Sequence, residues 1–130
     1  MDRRNRLSKF FGLAALAGLL LTVGCRSKLV EVRVVNSGTT DLHNVEVDYP
    51  SASFGVSSLA PGATYIYRIQ LQDAGRMKVE FSDHKEQPHS GKGPYVKEGQ
   101  EGTLTLTLDA SGKNQWNPQL HPEVTAPAGD

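Results

Sequence analysis

The feature that most constrains the fold is a strict alternation of apolar and polar residues, which recurs along the chain from residue 29 onward. It is clearest in residues 103–108, where three leucines alternate with three threonines, and residues 30–34 and 77–81 repeat it. Successive side chains of a β-strand point to opposite faces of the sheet. A period of two therefore predicts strands with one buried face and one solvated face.

Other short segments show the same pattern and are separated by residues that favour turns. Residues 45–49, 52–56 and 65–71 alternate in this way. Pro61 and Gly62 are a typical turn pair, because Pro restricts φ and Gly supplies a positive φ at the next position. No stretch after residue 25 has the 3.6-residue period of an amphipathic helix. The pattern predicts an all-β fold, an antiparallel β-sandwich of about seven short strands, with a small β-barrel as the alternative.

This arrangement of strands and turns resembles the immunoglobulin-like or fibronectin-III-like class of bacterial surface modules. The resemblance is one of pattern alone, because the chain has a single cysteine and lacks the signature of paired cysteines around a core tryptophan. It implies two packed sheets and leaves their topology open.

The N-terminal region differs in composition from the rest of the chain. Residues 1–9 carry four basic residues and one acidic residue, and residues 10–23 are almost wholly apolar. This apolar run is shorter than the roughly 20 residues that a membrane-spanning helix needs. A basic start followed by a short apolar core is typical of a secretory signal peptide, which we predict over residues 1–24. A retained N-terminal membrane helix is the alternative.

The end of this apolar run contains the only cysteine of the chain. The segment resembles the lipobox of bacterial lipoproteins in residues Leu21, Thr22, Val23, Gly24 and Cys25. Thr22 stands where the lipobox usually has an aliphatic residue. The resemblance implies recognition of residues 21–24 by the signal peptidase, cleavage after Gly24 and a diacylglycerol on the Cys25 sulfur. Because Arg rather than Asp follows the cysteine, it also implies the periplasmic face of the outer membrane.

Charge and cysteine content argue against several classes of function. Residues 25–130 contain ten Lys/Arg and thirteen Asp/Glu, a net charge of about −3, with no basic stripe. Nucleic-acid binders usually show such a stripe, so we predict no nucleic-acid partner. Acylation of Cys25 would leave no thiol for a disulfide or for redox chemistry.

The sequence divides into four parts. After the signal peptide (residues 1–24), residues 25–28 are the lipidated cysteine and a short tether, residues 29–109 the β-sandwich and residues 110–130 a flexible tail. The tail is predicted because these residues are rich in Gly, Asn, Gln and Pro and poor in aliphatic side chains. Trp116 within it either folds back over one end of the sandwich or is exposed to a partner.

The densest group of candidate metal ligands is Asp83, His84 and His89. Their spacing matches no metal motif, and Pro88 precludes a helix that would place both histidines on one face. We interpret these residues as part of a polar hairpin loop. The prediction is therefore no metal, and no cofactor apart from the covalent lipid.

No other group of residues forms a recognisable catalytic set. Glu46 and Asp48 share one face of a predicted strand, which is more typical of a solvated surface than of a glycosidase pair. The glycine-rich residues 91–94 and 98–102 lack the following helix that a phosphate-binding loop needs. We interpret both glycine-rich segments as hairpin turns.

We therefore expect a lipid-anchored protein of the cell envelope without enzymatic activity, acting as an interaction or structural accessory module. The alternative is a module that binds a glycan or another small ligand. Tyr95 and Trp116 are the candidate contacts, because exposed aromatic side chains serve protein and sugar partners alike. Tyr65 and Tyr67 are further stacking candidates, although their apolar strand face is more typical of a core. The expected partners are membrane lipid and an envelope protein or glycan.

Overall fold

The computed structural model describes residues 27–128. The predicted signal peptide, its recognition residues 21–24 and the predicted lipidation site Cys25 lie outside the described residues. The described residues form eight strands: β1 (Val30–Asn36), β2 (Leu42–Tyr49), β3 (Ala52–Leu59), β4 (Thr64–Ile69), β5 (Gly75–Ser82), β6 (Pro88–Val96), β7 (Glu101–Leu108) and β8 (Asn114–His121). Within this part of the chain, no helix has the length and apolar character to cross a membrane.

The strands form two separate four-stranded sheets that pack face to face. The first sheet has the order β4-β1-β7-β8 and the second the order β3-β2-β5-β6. Neighbouring strands run antiparallel except β1 and β7, which pair in parallel. The prediction of an all-β sandwich is confirmed, with eight strands in the described residues instead of about seven. The alternative of a closed barrel is wrong, because each sheet ends in two edge strands.

The core lies between the inward faces of the two sheets and follows the alternation seen in the sequence. Leu104, Leu106 and Leu108 of β7 are completely buried, as are Val32 and Val34 of the neighbouring β1. Full burial of one such side chain stabilises the fold by roughly 1.5–3 kcal/mol. The central strands of the two sheets therefore supply most of the hydrophobic stabilisation.

The connections between strands cluster at two ends of the sandwich. The near end, where β1 begins, also carries residues 50–51, 70–74, 97–100 and the segment after His121. The far end carries residues 37–41, 60–63, 83–87 and 109–113. This division places the chain segment leading back to Cys25 at the near end.

A buried asparagine organises the far end. Asn36 is completely buried, and its Nδ2 donates to the carbonyls of Thr40 and Leu59 at 2.9 Å each. Its Oδ1 accepts from the backbone N–H of Gly38 at 3.0 Å. A buried amide is stabilising only when its polar atoms are paired, and here they join the β1–β2 loop to the end of β3.

The prediction of a flexible tail over residues 110–130 is wrong for residues 114–121, which form β8. This strand pairs antiparallel with β7 over its whole length, from Asn114 opposite Leu108 to His121 opposite Glu101. Its composition is polar because one face is solvated and the strand lies at a sheet edge. Strand formation here depends on pairing and packing rather than on intrinsic propensity.

The interpretation of residues 91–94 as a hairpin turn is also wrong, because these residues lie inside β6. The β5–β6 pairing shifts register between Arg76 and Lys78, which inserts an extra residue into β6. Arg76 Nη1 donates to the carbonyl of Gly93 at 3.0 Å beside this shift. A β-bulge of this kind accommodates glycine and proline in an edge strand, where the sequence alone indicates a turn.

Candidate functional site

The two predicted contact residues, Tyr95 and Trp116, lie on the same side of the sandwich, where β6 and β8 are the edge strands of the two sheets. Trp116 is opposite the buried Leu106 and therefore points inward. It is half-buried, packs against the core and donates from Nε1 to Asn114 Oδ1 at 3.3 Å. Trp116 thus closes the gap between the two sheets on this side.

Two glycines in β6 make room for the side chains of β8. A Cβ on Gly93 would lie 2.9 Å from the ring of Trp116, and one on Gly91 would lie 2.1 Å from Asn114 Oδ1. Sequence reasoning missed this packing. The available signal was a glycine at every second position of a short segment, which in a strand indicates close approach of another part of the chain.

Tyr95 contributes to a groove at the near end, with a volume of about 600 Å³. Its walls are the side chains of β6, β8 and the segment that follows β8, including Pro94, Leu120 and Val124. Gln100 Nε2 donates to the carbonyl of Pro122 at 2.9 Å, which fixes this last segment against the sandwich. Trp116 does not line the groove, so the structure places the two predicted contact residues in different local environments.

The structure brings together Asp83 and His89 but leaves His84 exposed and apart from them. Asp83 is 6% exposed, and its Oδ2 lies 3.0 Å from His89 Nε2. Its Oδ1 accepts from the backbone N–H groups of Lys85 and Gln87 at 2.8 and 3.0 Å. The carboxylate therefore holds the β5–β6 loop closed.

The imidazole of His89 is enclosed by its neighbours. It stacks on Phe81 with ring centroids 5.2 Å apart. A Cβ on Gly112, whose φ is +91°, would lie 2.8 Å from His89 Nδ1. Among residues 27–128, no group of three or more His, Cys, Asp or Glu side chains is placed to hold a metal ion. The Asp83–His89 pair closes the β5–β6 loop, and the His89 ring packs against Gly112 of the β7–β8 turn.

Protonation of Asp83 is expected to weaken this far end. The hydrogen bond from His89 holds the pKa of Asp83 below its usual value, and backbone N–H donors contribute. A folded-state pKa below the unfolded value gives stability that is present above about pH 4 and is lost as pH falls through the folded-state pKa. We expect Asp83→Asn to lower the melting temperature at pH 7 and to have a shrinking effect below pH 4.

Melting curves of the wild type and Asp83→Asn between pH 2 and pH 7 measure this effect. Asp41→Asn is the control, because Asp41 lies in another far-end loop and is exposed. A difference between wild type and Asp83→Asn that stays constant through pH 4 to pH 2 would contradict the assigned role of the Asp83 carboxylate.

Glu46 and Asp48 lie on the solvated outer face of the second sheet, as predicted, beside Glu80 of β5. The side-chain hydrogen bond with Asp48, together with the charges of Asp48 and Glu80, raises the pKa of Glu46. On the same face Lys78 lies opposite Asp48 and Lys92 lies beside Lys78, so the three carboxyl groups are accompanied by two exposed ammonium groups.

An aromatic cluster occupies the opposite side of the sandwich, where β3 and β4 are the edge strands. Phe54 of β3 stacks on Tyr67 of β4 with ring centroids 4.7 Å apart and planes 16° apart. Tyr65 lies 6.4 Å from the same ring. Tyr65 is half-buried and Tyr67 is 43% exposed, so the face predicted as core is only partly covered here.

Comparison with known proteins shows a similarity of fold and gives no information about function. No family model matches the chain. No curated protein matches it significantly. The chain is similar to a protein from Eubacterium rectale with an NMR structure, with a TM-score of 0.53, covering 77% of this chain and 100% of that chain. The sequence identity is 14%, so this similarity supports the fold alone.

Proposed function

We propose that this protein is a lipoprotein of the bacterial cell envelope whose β-sandwich serves as a non-enzymatic interaction or structural accessory module. The observation that carries the proposal is the apolar run ending in Gly24 and Cys25, a few residues before the first strand. Two or more acyl chains on one residue give stable membrane attachment, because each buried CH₂ contributes about 0.8 kcal/mol. The absence of Asp after Cys25 favours the periplasmic face of the outer membrane.

The short tether supports a function exercised at the membrane surface. Residues 26–29 separate Cys25 from the start of β1 at Val30. At about 3.5 Å per extended residue, they reach no more than about 15 Å. The sandwich is therefore held close to the bilayer, and its partners are proteins or glycans that come within this distance. Arg26 and Lys28 would add attraction to anionic headgroups of about 1 kcal/mol each.

The chemistry of the described side chains supports a binding role. The Asp83–His89 pair is engaged in closing a loop, and the carboxyl groups of Glu46, Asp48 and Glu80 lie on a solvated sheet face. The features suited to a partner are instead the near-end groove beside Tyr95 and the aromatic cluster between β3 and β4. A glycan is the alternative ligand for the groove.

Metabolic labelling tests the anchor. Cells that express the full chain are grown with a clickable palmitate, and Cys25→Ala is compared with Ser27→Ala, which keeps the cysteine. We expect label on the wild type and on Ser27→Ala and none on Cys25→Ala. Mass spectrometry of the wild type should find a mature chain that begins at an acylated Cys25. An unlabelled wild type, or a mature chain that retains residues 1–24, would refute the anchor.

Capture from solubilised envelopes tests the binding role. The wild type is compared with Cys25→Ala, which is expected to lose partners that meet the protein only at the membrane. A protein or glycan that is enriched reproducibly with the wild type alone would support the proposal. Equal recovery of the same material with both forms would count against a function that depends on the anchor.

A further inference from the structure

We propose that the free edge of β4 is a self-association surface, at which a second copy of this chain adds its own β4 in antiparallel orientation. The first sheet of each copy, β4-β1-β7-β8, would then be joined to that of the other copy in one continuous sheet of eight strands. The inference concerns the folded domain and holds whether or not Cys25 is acylated.

Exposed hydrophobic side chains of the described residues concentrate at this edge. Ile66 is 49% exposed and Tyr67 is 43% exposed, and both belong to β4. Leu29, 41% exposed, directly precedes β1, the strand that pairs with β4. Ile66 and Tyr67 point to opposite faces of the sheet, so the open edge of β4 carries a large exposed apolar side chain on each face, of the kind that pairs well across strands.

The edge strands on the opposite side carry residues that oppose further pairing. β6 contains Pro88, Lys92 and Pro94 together with its register shift, and β8 contains Pro118. Proline, lysine and bulges are the usual means by which proteins prevent edge-to-edge association. β4 has the sequence TYIYRI and none of these features.

The remaining edge strand, β3, also lacks proline and lysine but offers a weaker surface. Its exposed residues are small: Ala52, Ser53, Gly55, Ser57 and Ser58. Side chains of this size contribute little cross-strand contact, whereas aromatic and β-branched residues pair well. The apolar exposed residues therefore favour β4 over β3 as the association edge.

The free backbone groups of β4 can be identified from the hydrogen bonds beside it. The N–H of Asn36 donates to the carbonyl of Ala63 at 3.0 Å, and these two residues extend the β1–β4 register by one position. Residues of an antiparallel strand bond alternately to one neighbour and the other. Tyr65, Tyr67 and Ile69 therefore bond to β1, while Thr64, Ile66 and Arg68 direct their N–H and C=O groups to the open edge.

These three residues define a self-complementary register. When Ile66 lies on a two-fold axis it faces Ile66 of the second copy, and Thr64 faces Arg68 of the second copy. All three positions are then hydrogen-bonded pairs of an antiparallel ladder. On the inward face the same register places Tyr65 beside Tyr67 of the second copy, and aromatic cross-strand pairs stabilise sheets. A two-fold axis is also the commonest symmetry of protein dimers.

The charges at this edge are compatible with pairing. The one charged residue of β4, Arg68, would face the uncharged Thr64 rather than another cation. Its guanidinium already lies 3.7 Å from a carboxylate oxygen of Glu31, which in turn pairs with Arg33 at 2.8 Å. Like charges directly opposite one another destabilise strand pairs, and this register contains none.

The two-fold symmetry also determines how such a dimer would be oriented on a membrane. Antiparallel pairing places the near ends of the two copies at opposite ends of the combined sheet. If both Cys25 residues are acylated, both tethers reach one bilayer only when the strands lie parallel to its surface. The first sheet would then face the lipid, because β1, which continues from the tether, belongs to it. The outer face of the second sheet would point away.

Disulfide trapping in the full chain tests the register. Ile66→Cys, Thr64→Cys, Arg68→Cys and Asn117→Cys are purified in detergent and oxidised mildly at equal concentration. Asn117 is the matched control, because it is exposed on the outer face of the other edge strand of the same sheet. Circular dichroism verifies that each variant is folded. Cys25 is the only cysteine of the wild type, so a dimer that the wild type forms on oxidation shows that Cys25 is a free thiol. A failure of the proposed anchor is thereby distinguished from a failure of the proposed register.

The two-fold axis predicts a specific pattern of cross-links. The Cα atoms at position 66 would lie about 5.5 Å apart, within the range for a disulfide. Those at position 64 would lie about 15 Å apart, beyond it. We expect Ile66→Cys to dimerise at least about ten-fold faster than the other single variants. A mixture of Thr64→Cys and Arg68→Cys should form the heterodimer. Equal rates for Ile66→Cys and Asn117→Cys, or absence of the heterodimer, would overturn the proposal.

Discussion

Replacing Gly102 with alanine is expected to lower the free energy of unfolding by about 4 kcal/mol. Gly102 has a φ of +132°, which alanine adopts only at a cost of roughly 1–3 kcal/mol. An added Cβ would lie 2.2 Å from the backbone carbonyl oxygen of Gln119. That atom belongs to β8 and cannot rotate away, so β8 must shift from β7, at a further cost of roughly 1–3 kcal/mol.

Gly99→Ala is the matched control for this prediction. Gly99 also has a positive φ, +81°, but no atom lies within 4 Å of an added Cβ. Its replacement should cost only the conformational term, about 1–2 kcal/mol. Urea unfolding followed by the fluorescence of Trp116, the only tryptophan, measures both variants. Equal losses for Gly102→Ala and Gly99→Ala would show that the contact with Gln119 is unimportant.

Replacing Leu106 with alanine is expected to lower the free energy of unfolding by about 3 kcal/mol. Leu106 is completely buried between β1 and β8 on the inward face of the first sheet, opposite Val34 and Trp116. Truncation removes apolar contacts and leaves a cavity that the surrounding strands fill only in part. Because a domain of this size is stable by about 5–15 kcal/mol, the loss is a large fraction of the total.

Leu29→Ala is the control for Leu106→Ala, because Leu29 is 41% exposed and its truncation makes no cavity. We expect it to change the unfolding free energy by less than about 0.5 kcal/mol. Urea denaturation at one temperature, with a common m-value, compares the two. A loss below about 1 kcal/mol for Leu106→Ala would contradict the central position assigned to β7 in the core.

The sequence predicted the structure best where the structure depends on residues that are close together in the chain. The alternation in residues 103–108 correctly identified a strand and its buried face, because side-chain direction in a strand alternates whatever the tertiary context. The turn at Pro61 and Gly62 was equally predictable, and Gly62 has a φ of +74° with the N–H of Ala63 donating to Ala60 O. Local geometry determines both features.

The candidate site was only partly predictable. Asp83, His84 and His89 formed a recognisable group, but the sequence did not indicate that the loop would join Asp83 to His89 and exclude His84. The near-end groove depends on the segment after β8, which residue patterns indicated as flexible. The lipidation site remains a prediction from the sequence, because Cys25 lies outside the described residues.

The sequence by itself determined the all-β class, most of the strands and the residues that face the core, since each follows from a period of two and from turn chemistry. Only the tertiary structure decided the parallel pairing of β1 with β7, the inclusion of β8 and the packing of Trp116 on Gly93. These features join residues that are far apart in the chain. Their stability comes from contacts that exist only after both sheets have formed, so no local pattern records them.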